Sequence, residues 1–201
     1  MKRLLQILFA LLLSLSFCPV MAEDSSSLSK EDYLLALKEE ANKYDVDINI
    51  TEYPEVITEE TISEGVQQVR NIASTFEVNE LHFKNESKSN ISLASNMPVT
   101  ANRYGYFDVT VGGFLSCTIK VTLNVTTNID NHKVLSVNSK RANQDGVAFG
   151  FSSWETYSIS TTLNSPKTGF VETTVKGHCA FNVSGITYSK DVSSYAKVQC
   201  Y

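Results

Sequence analysis

Residues 115–125 read Leu-Ser-Cys-Thr-Ile-Lys-Val-Thr-Leu-Asn-Val, and this run decides the fold. Leu115, Cys117, Ile119, Val121, Leu123 and Val125 alternate with Ser116, Thr118, Lys120, Thr122 and Asn124. Side chains on a strand point to opposite faces at a period of two, so one face of this strand is apolar and the other wet. Val171, Val175, Cys179, Phe181 and Val183 share a side in the same way further on, as do Ala196, Val198 and Cys200.

Strand-length runs at 104–111, 114–126, 133–139, 147–163, 170–184 and 193–201 are separated by turn residues. The turns fall at Gly112-Gly113, Asn128 to His132, Asn164-Ser165-Pro166-Lys167 and Ser184-Gly185. Shorter candidate strands lie at 78–84 and 89–94. Such spacing predicts an antiparallel β-sandwich or a curled meander over residues 77–201.

Residues 23–76 have a different texture. Ser29 and Asp32 form a helix start, and Leu34, Leu37, Ala41 and Tyr44 fall at helical spacing, predicting a helix over 30–44. Val46, Ile48 and Ile50 then alternate with Asp45, Asp47 and Asn49, the period of a strand. Thr58 caps a second helix with an apolar stripe of Ile62, Val66, Val69 and Ile72, which Gly65 weakens. The chain is thus mainly β, and α+β overall, with an acidic helix–strand–helix lead.

Met1 to Ala22 has the layout of a secretory signal. Lys2 and Arg3 precede an apolar run from Leu4 to Phe17, and Val20-Met21-Ala22 offers small residues at minus three and minus one. The run is shorter than the roughly 20 residues a spanning helix needs. Bulky Phe17 before Cys18 argues against a lipoprotein signal. Cleavage after Ala22 predicts a secreted protein with no stable membrane anchor, carrying 15 basic against 22 acidic groups, a net of −7. Residues 23–64 hold 13 acidic and 3 basic groups, and residues 65–201 hold 9 and 12. With no cluster of Lys or Arg to follow phosphates, nucleic acid is excluded as a partner.

Cys117, Cys179 and Cys200 remain after cleavage, and in an oxidising compartment two of them are expected to pair. All three lie on inward faces. A hairpin turning at Gly185 to Asp191 brings Cys179 opposite Cys200, at cross-strand Cβ distances of about 4.5–5.5 Å. Cys117–Cys179, joining two sheets, is the rival pairing, and the hairpin pair is the expectation.

The leader, the Glu31 to Ile72 lead, Tyr104-Gly105-Tyr106-Phe107, the Cys117 to Val125 strand and Ser153-Trp154 together carry a resemblance. The layout resembles the uncharacterised small exported β-rich proteins of Gram-positive bacteria. That resemblance implies location and fold, and no functional residues.

The motifs of chemistry fail one by one. Asp45-Val46-Asp47-Ile48-Asn49 opens like a calcium loop, but Ile50 and Val56 stand where that loop needs Gly and Glu. His82, His132 and His178 show no metal spacing, and strand parity sends His178 and Cys179 to opposite faces. No Gly-x-Ser-x-Gly elbow exists. Asn49, Asn85, Asn90, Asn124 and Asn182 each begin a glycosylation sequon, relevant only in a eukaryotic secretory pathway. Neither a catalytic residue, a metal nor a cofactor is expected.

Paired carboxylates are the enzymatic alternative. Asp108, Asp130, Asp145, Glu155, Glu172 and Asp191 are scattered through the β region, and Glu155 shares the apolar parity of Tyr157 and Ile159 unless a bulge at Ser152-Ser153 turns it outward. A hydrolase of polysaccharide or cell-wall polymer would need two of them in one cleft.

The leading expectation is aromatic. If the turn at Asn164 to Thr168 sets the register, Phe151 meets Phe181 and Tyr157 meets Val175 on the core side. Trp154 then meets His178, and Thr156 meets Lys176, on the other. A Trp beside His and Lys on a sheet face stacks on a sugar or anchors a protein, and Tyr104 and Tyr106, sharing a parity, extend the platform. Should that face be covered, Trp154 is core. The expected function is a secreted, non-enzymatic protein binding a glycan or protein through Trp154, His178, Tyr104 and Tyr106. A structural envelope protein, linked through its spare cysteine, is a further alternative.

Overall fold

A computed structural model describes residues 28–84, 97–128, 130–145, 151–163 and 169–200, with backbone alone for Phe151 and Ser152. The leader and the 89–94 strand candidate lie outside the described residues. The chain runs α1 (Lys30–Asn42), β1 (Asp47–Ile50), α2 (Glu59–Ala73), β2 (Glu77–Val78), β3 (His82–Phe83), β4 (Pro98–Val111), β5 (Leu115–Asn128), β6 (Lys133–Asp145), β7 (Phe151–Leu163), β8 (Phe170–Val183) and β9 (Ile186–Gln199). Among the described residues it is mainly β: two curled antiparallel sheets face each other as half-barrels, with two helices.

Sheet one has the order β1-β9-β8-β7; sheet two runs β2-β4-β5-β6, with β3 also on β4. The alternation in β5 is realised without exception: Leu115, Cys117, Ile119, Val121, Leu123 and Val125 are buried, and the residues between them half-buried. Val171, Val175, Cys179 and Phe181 answer from β8, with Tyr188, Val192, Ala196 and Val198 from β9. These inward faces form one core, because each sheet can shed water from its apolar side only against the other.

Ser29 and Asp32 make the reciprocal cap of α1, and Thr58 and Thr61 that of α2. Both helices close the end of the sheets that carries the short turns. Phe76, just after α2, meets Phe181 edge-on at 5.8 Å between ring centroids. Thr75 Oγ1 accepts from Gly112 N–H at 2.7 Å, and Gly185 carbonyl accepts from Thr51 N–H at 2.8 Å. Gly65 does more than weaken α2: a Cβ there would come within 2.7 Å of the Tyr33 hydroxyl, so the missing side chain lets the helices touch. β1 pairs with β9 from Asp47↔Ser189 to Ile50↔Ile186, which ties the acidic lead into sheet one.

Two registers differ from expectation. The β8–β9 turn is Ser184-Gly185 alone, both at positive φ (50° and 77°), closing on Val183↔Ile186. That tight turn matches the twist of the strands better than a long loop does. Cys179 therefore pairs with Lys190, and Cys200 lies beyond the Phe170↔Gln199 pair, ten residues and about 33 Å further along. The expected Cys179–Cys200 bridge is thus geometrically excluded. No disulfide joins any pair among Cys117, Cys179 and Cys200, though all three are buried as expected.

The second difference lies in β7. Near its end Ile159 meets Val175 and Leu163 meets Val171, a shift of two residues that keeps the expected faces. Between Thr156 and Ser158 a bulge inserts Tyr157, and the pairing resumes as Thr156↔Gly177 and Trp154↔Cys179. One extra residue turns every side chain before it to the other face. Trp154 goes inward, and Glu155 goes out.

Glu40 is the buried carboxylate of the helical pair, accepting from Arg70 Nε at 2.8 Å and Lys43 Nζ at 2.6 Å. Those hydrogen bonds, Arg70's foremost, hold its carboxyl at about 2 against an ordinary 4.5. A carboxyl depressed in the folded state contributes stability that is present above its ordinary value and lost as pH falls toward the folded one. The wild-type melting temperature should therefore drop more steeply between about pH 5 and pH 2.5 than that of Glu40→Gln. Parallel curves from differential scanning calorimetry would refute this. Gly177→Ala should cost about 2–3 kcal/mol in urea unfolding, because its Cβ would overlap the Trp154 ring and sit 2.5 Å from the Glu155 carbonyl oxygen. A loss within about 0.5 kcal/mol would show that the two strands have room to part.

Candidate functional site

The four expected site residues occupy three places. Trp154 packs against the core, edge-on to Phe107 of the facing sheet at 5.8 Å, with its ring over Gly177. Its indole N–H donates to Thr156 Oγ1 at 2.8 Å, and that hydroxyl donates to Ala142 carbonyl at 2.7 Å, across the β6/β7 seam. Trp154, half-buried, thus joins the sheets through both its ring and its N–H. It does not stand beside His178.

His178 faces out from sheet one. Its Nδ1 lies 2.8 Å from Asp191 Oδ1, and the Tyr157 ring leans on it at 6.2 Å and 31°. Burial, followed by the Asp191 carboxylate, pushes the Tyr157 hydroxyl above its ordinary pKa. The register sets Glu155, His178 and Asp191 in a row across β7, β8 and β9. Glu155 and Asp191 are both exposed. Among the described residues, no group of His, Cys, Asp and Glu has metal-binding geometry.

Tyr104 and Tyr106 lie on the outer face of sheet two, on the far side of the molecule from His178. Here a basic and aromatic strip takes shape. Lys120 Nζ sits 4.9 Å from the Tyr104 ring centroid and 6.0 Å from that of Tyr106, while Lys84 Nζ stands 4.8 Å over Tyr106. Such contacts fix the rings and leave ammonium hydrogens directed at solvent. Alongside runs an amide ladder over three strands. Asn138 Nδ2 donates to Asn124 Oδ1 at 2.9 Å and Asn124 Nδ2 to Asn102 Oδ1 at 2.8 Å, while Asn102 Nδ2 approaches the Tyr104 hydroxyl at 3.4 Å. An amide carries two donor hydrogens and two acceptor lone pairs, so the ladder leaves capacity facing outward.

A groove begins at His82, next to the strip. His82 is the register partner of Tyr106, and Lys84 N–H bonds to Tyr104 carbonyl at 2.9 Å. Beyond β3 the 78–83 segment faces β9 across a cleft of about 570 Å³, whose lining includes His82, Phe170, Ser193, Tyr195, Lys197 and Gln199. Tyr195 is 53% exposed there, and Lys197 Nζ lies 4.8 Å over the Phe170 ring. Sequence reasoning missed Lys84 and Lys120 beside the tyrosines, and Tyr195 in the cleft. The parity of β5 and β9 marks Lys120 and Tyr195 as outward, but only the fold closes β9 against β3.

No protein-family model, curated protein or solved structure matches this chain.

Proposed function

We propose that this chain is a secreted, non-enzymatic binding protein whose ligand is a glycan held on the outer face of sheet two. The reading is supported by one observation above all: Tyr104 and Tyr106 sit side by side beneath Lys84 and Lys120, next to an amide ladder and a groove that holds Tyr195. Sugars offer apolar C–H faces to aromatic rings and hydroxyls to amides and ammonium groups. Both kinds of partner recur here along the strip. A flat face leading into a cleft suits a polymer that extends beyond one residue, and the cleft volume is that of an ordinary ligand site. A protein partner would use the same tyrosines, and the experiment below separates the two.

Export supports the extracellular part of this reading, resting on the Lys2-Arg3 start, the Leu4 to Phe17 run and Val20-Met21-Ala22. The hydrolase reading loses ground, because Glu155 is exposed and among the described residues it is not grouped with a second carboxylate in the cleft.

In a glycan array, and in pull-downs with chitin, xylan and peptidoglycan sacculi, the wild type should retain at least one glycan. Tyr104→Ala/Tyr106→Ala should lose about tenfold or more in affinity while its circular dichroism stays unchanged. Tyr195→Ala should weaken long chains more than short ones. Unaltered retention by the double variant would remove this face from consideration. Retention of a protein, with no glycan held, would move the ligand to the protein class. Edman sequencing of the product recovered from the medium of an exporting host should begin at Glu23. An intact Met1 would refute cleavage after Ala22.

A further inference from the structure

We propose that the glycan held on the outer face of sheet two is an acidic polysaccharide, lying across the strands with its negative groups met by Lys84, Lys120 and Arg141. This inference rests on the glycan reading and adds the charge and direction of the polymer to it. The three cations come from separate stretches of sequence, and the register of sheet two brings them together. Tyr106 pairs with Lys120, and Tyr104 pairs with Thr122, whose partner on β6 is Arg141. Ala142 is buried on the inner side, so Arg141 stands outward and is exposed. On the other flank Lys84 N–H bonds to Tyr104 carbonyl, and its Nζ lies 4.8 Å over the Tyr106 ring.

These positions fill two neighbouring rows that cross the sheet. β3, β4, β5 and β6 lie side by side, so three strand spacings, about 14 Å in all, separate the Lys84 and Arg141 backbones. Lys120 stands between them, 4.9 Å from the Tyr104 ring centroid. Among the described residues, none of the three cations is ion-paired with a carboxylate. An ammonium group over a ring keeps its full charge. Arg141 adds a planar fork of N–H donors, the shape that fits a carboxylate with two parallel hydrogen bonds. A neutral polysaccharide would leave all three charges without a counter-charge.

The rows on either side set the direction. Toward one end come Asp108 and Asp145, both partnered with Thr118, and Asp108 accepts from Thr118 Oγ1 at 2.6 Å. An acidic polymer following the strands would run onto these carboxylates, and like charges a few ångströms apart repel. Toward the other end come Asn102, Asn124 and Asn138, which carry no charge and offer amide groups to sugar hydroxyls. The favourable path therefore crosses β3, β4, β5 and β6, with the aromatic rings beneath it and the amide ladder along one side.

The test measures binding of the full chain, at low salt, to polygalacturonate, its methyl ester, dextran sulfate and neutral dextran. The wild type should hold polygalacturonate or dextran sulfate about tenfold or more tightly than the neutral counterpart, and the one preferred says whether carboxylate or sulfate is read. Lys120→Gln/Arg141→Gln should lose about tenfold in that affinity with its melting temperature unchanged. Lys38→Gln/Lys176→Gln removes as much charge from exposed positions on α1 and sheet one, and should bind as the wild type does. Added salt should weaken the wild type and flatten the difference between it and the first variant. Equal retention of acidic and neutral polymers, with a loss in Tyr104→Ala/Tyr106→Ala, would overturn the proposal and leave the glycan reading standing. Full retention of the acidic polymer by Lys120→Gln/Arg141→Gln would overturn it as well. Polyglutamate held as tightly as the acidic polysaccharide would also overturn it, because charge alone would then suffice. A wild type that retains none of the polymers would sink both readings.

Discussion

Trp154 lying over Gly177 is the contact on which the closure of the two sheets depends. A bare backbone on β8 lets the indole lie flat between the layers, where its edge reaches Phe107 and its N–H reaches Thr156. Thr156 passes the connection to the Ala142 carbonyl on the neighbouring edge. Without these links the β6 and β7 edges would present unpaired polar groups beside an apolar interior, which a sheet edge tolerates poorly. The opposite seam closes by similar means, with Ser194 Oγ donating to Asn79 carbonyl at 3.0 Å and Arg103 Nη2 to Cys200 carbonyl. Two half-barrels are thereby held edge to edge by a few side chains. A continuous ladder is not needed.

Much of this architecture was legible in the residues. β5 announces its faces because both sides of a period-two pattern are unambiguous, and the α1 and α2 starts announce themselves through side chains that bond locally. The misreadings share one cause. Register is set by turn geometry and bulges, and period-two faces invert with a single inserted residue. Nothing in Ser153-Trp154-Glu155-Thr156-Tyr157 states where that residue goes. The structure puts it at Tyr157, so the Trp154–His178 platform dissolves while Ile159 keeps its expected side. Gly177 was the available clue: a glycine beside an inward run marks the spot where something large must lie. The Cys179–Cys200 expectation failed for the related reason that a two-residue turn at Ser184-Gly185 fixes every later pair of the hairpin.

The outer surface was legible in part. Tyr104 and Tyr106 share a face as their parity requires, and the same holds for Lys120 opposite them. Their union with Lys84, His82 and Tyr195 depends on β3 folding back along β4 and on β9 meeting the 78–83 segment, contacts far apart in sequence. Local pattern carries no information about such closures. The acidic and basic halves of the chain acquire a spatial meaning only in the fold: the acidic groups concentrate on the helical lead, and the strip around the tyrosines draws its cations from the later strands.

This division bears on how the outer aromatic strip and the apolar core share the same two strands. A flat recognition surface gains affinity when its rings and amides are already held in place, since less freedom is lost on binding. β4 and β5 carry the tyrosine strip on their outer side and, on their inner side, Cys117, Phe107 and Val109. Whatever fixes the inner side fixes the outer one, because both belong to the same two strands. Rigidity at the outer face is then a property of the core, reached through the pleat itself.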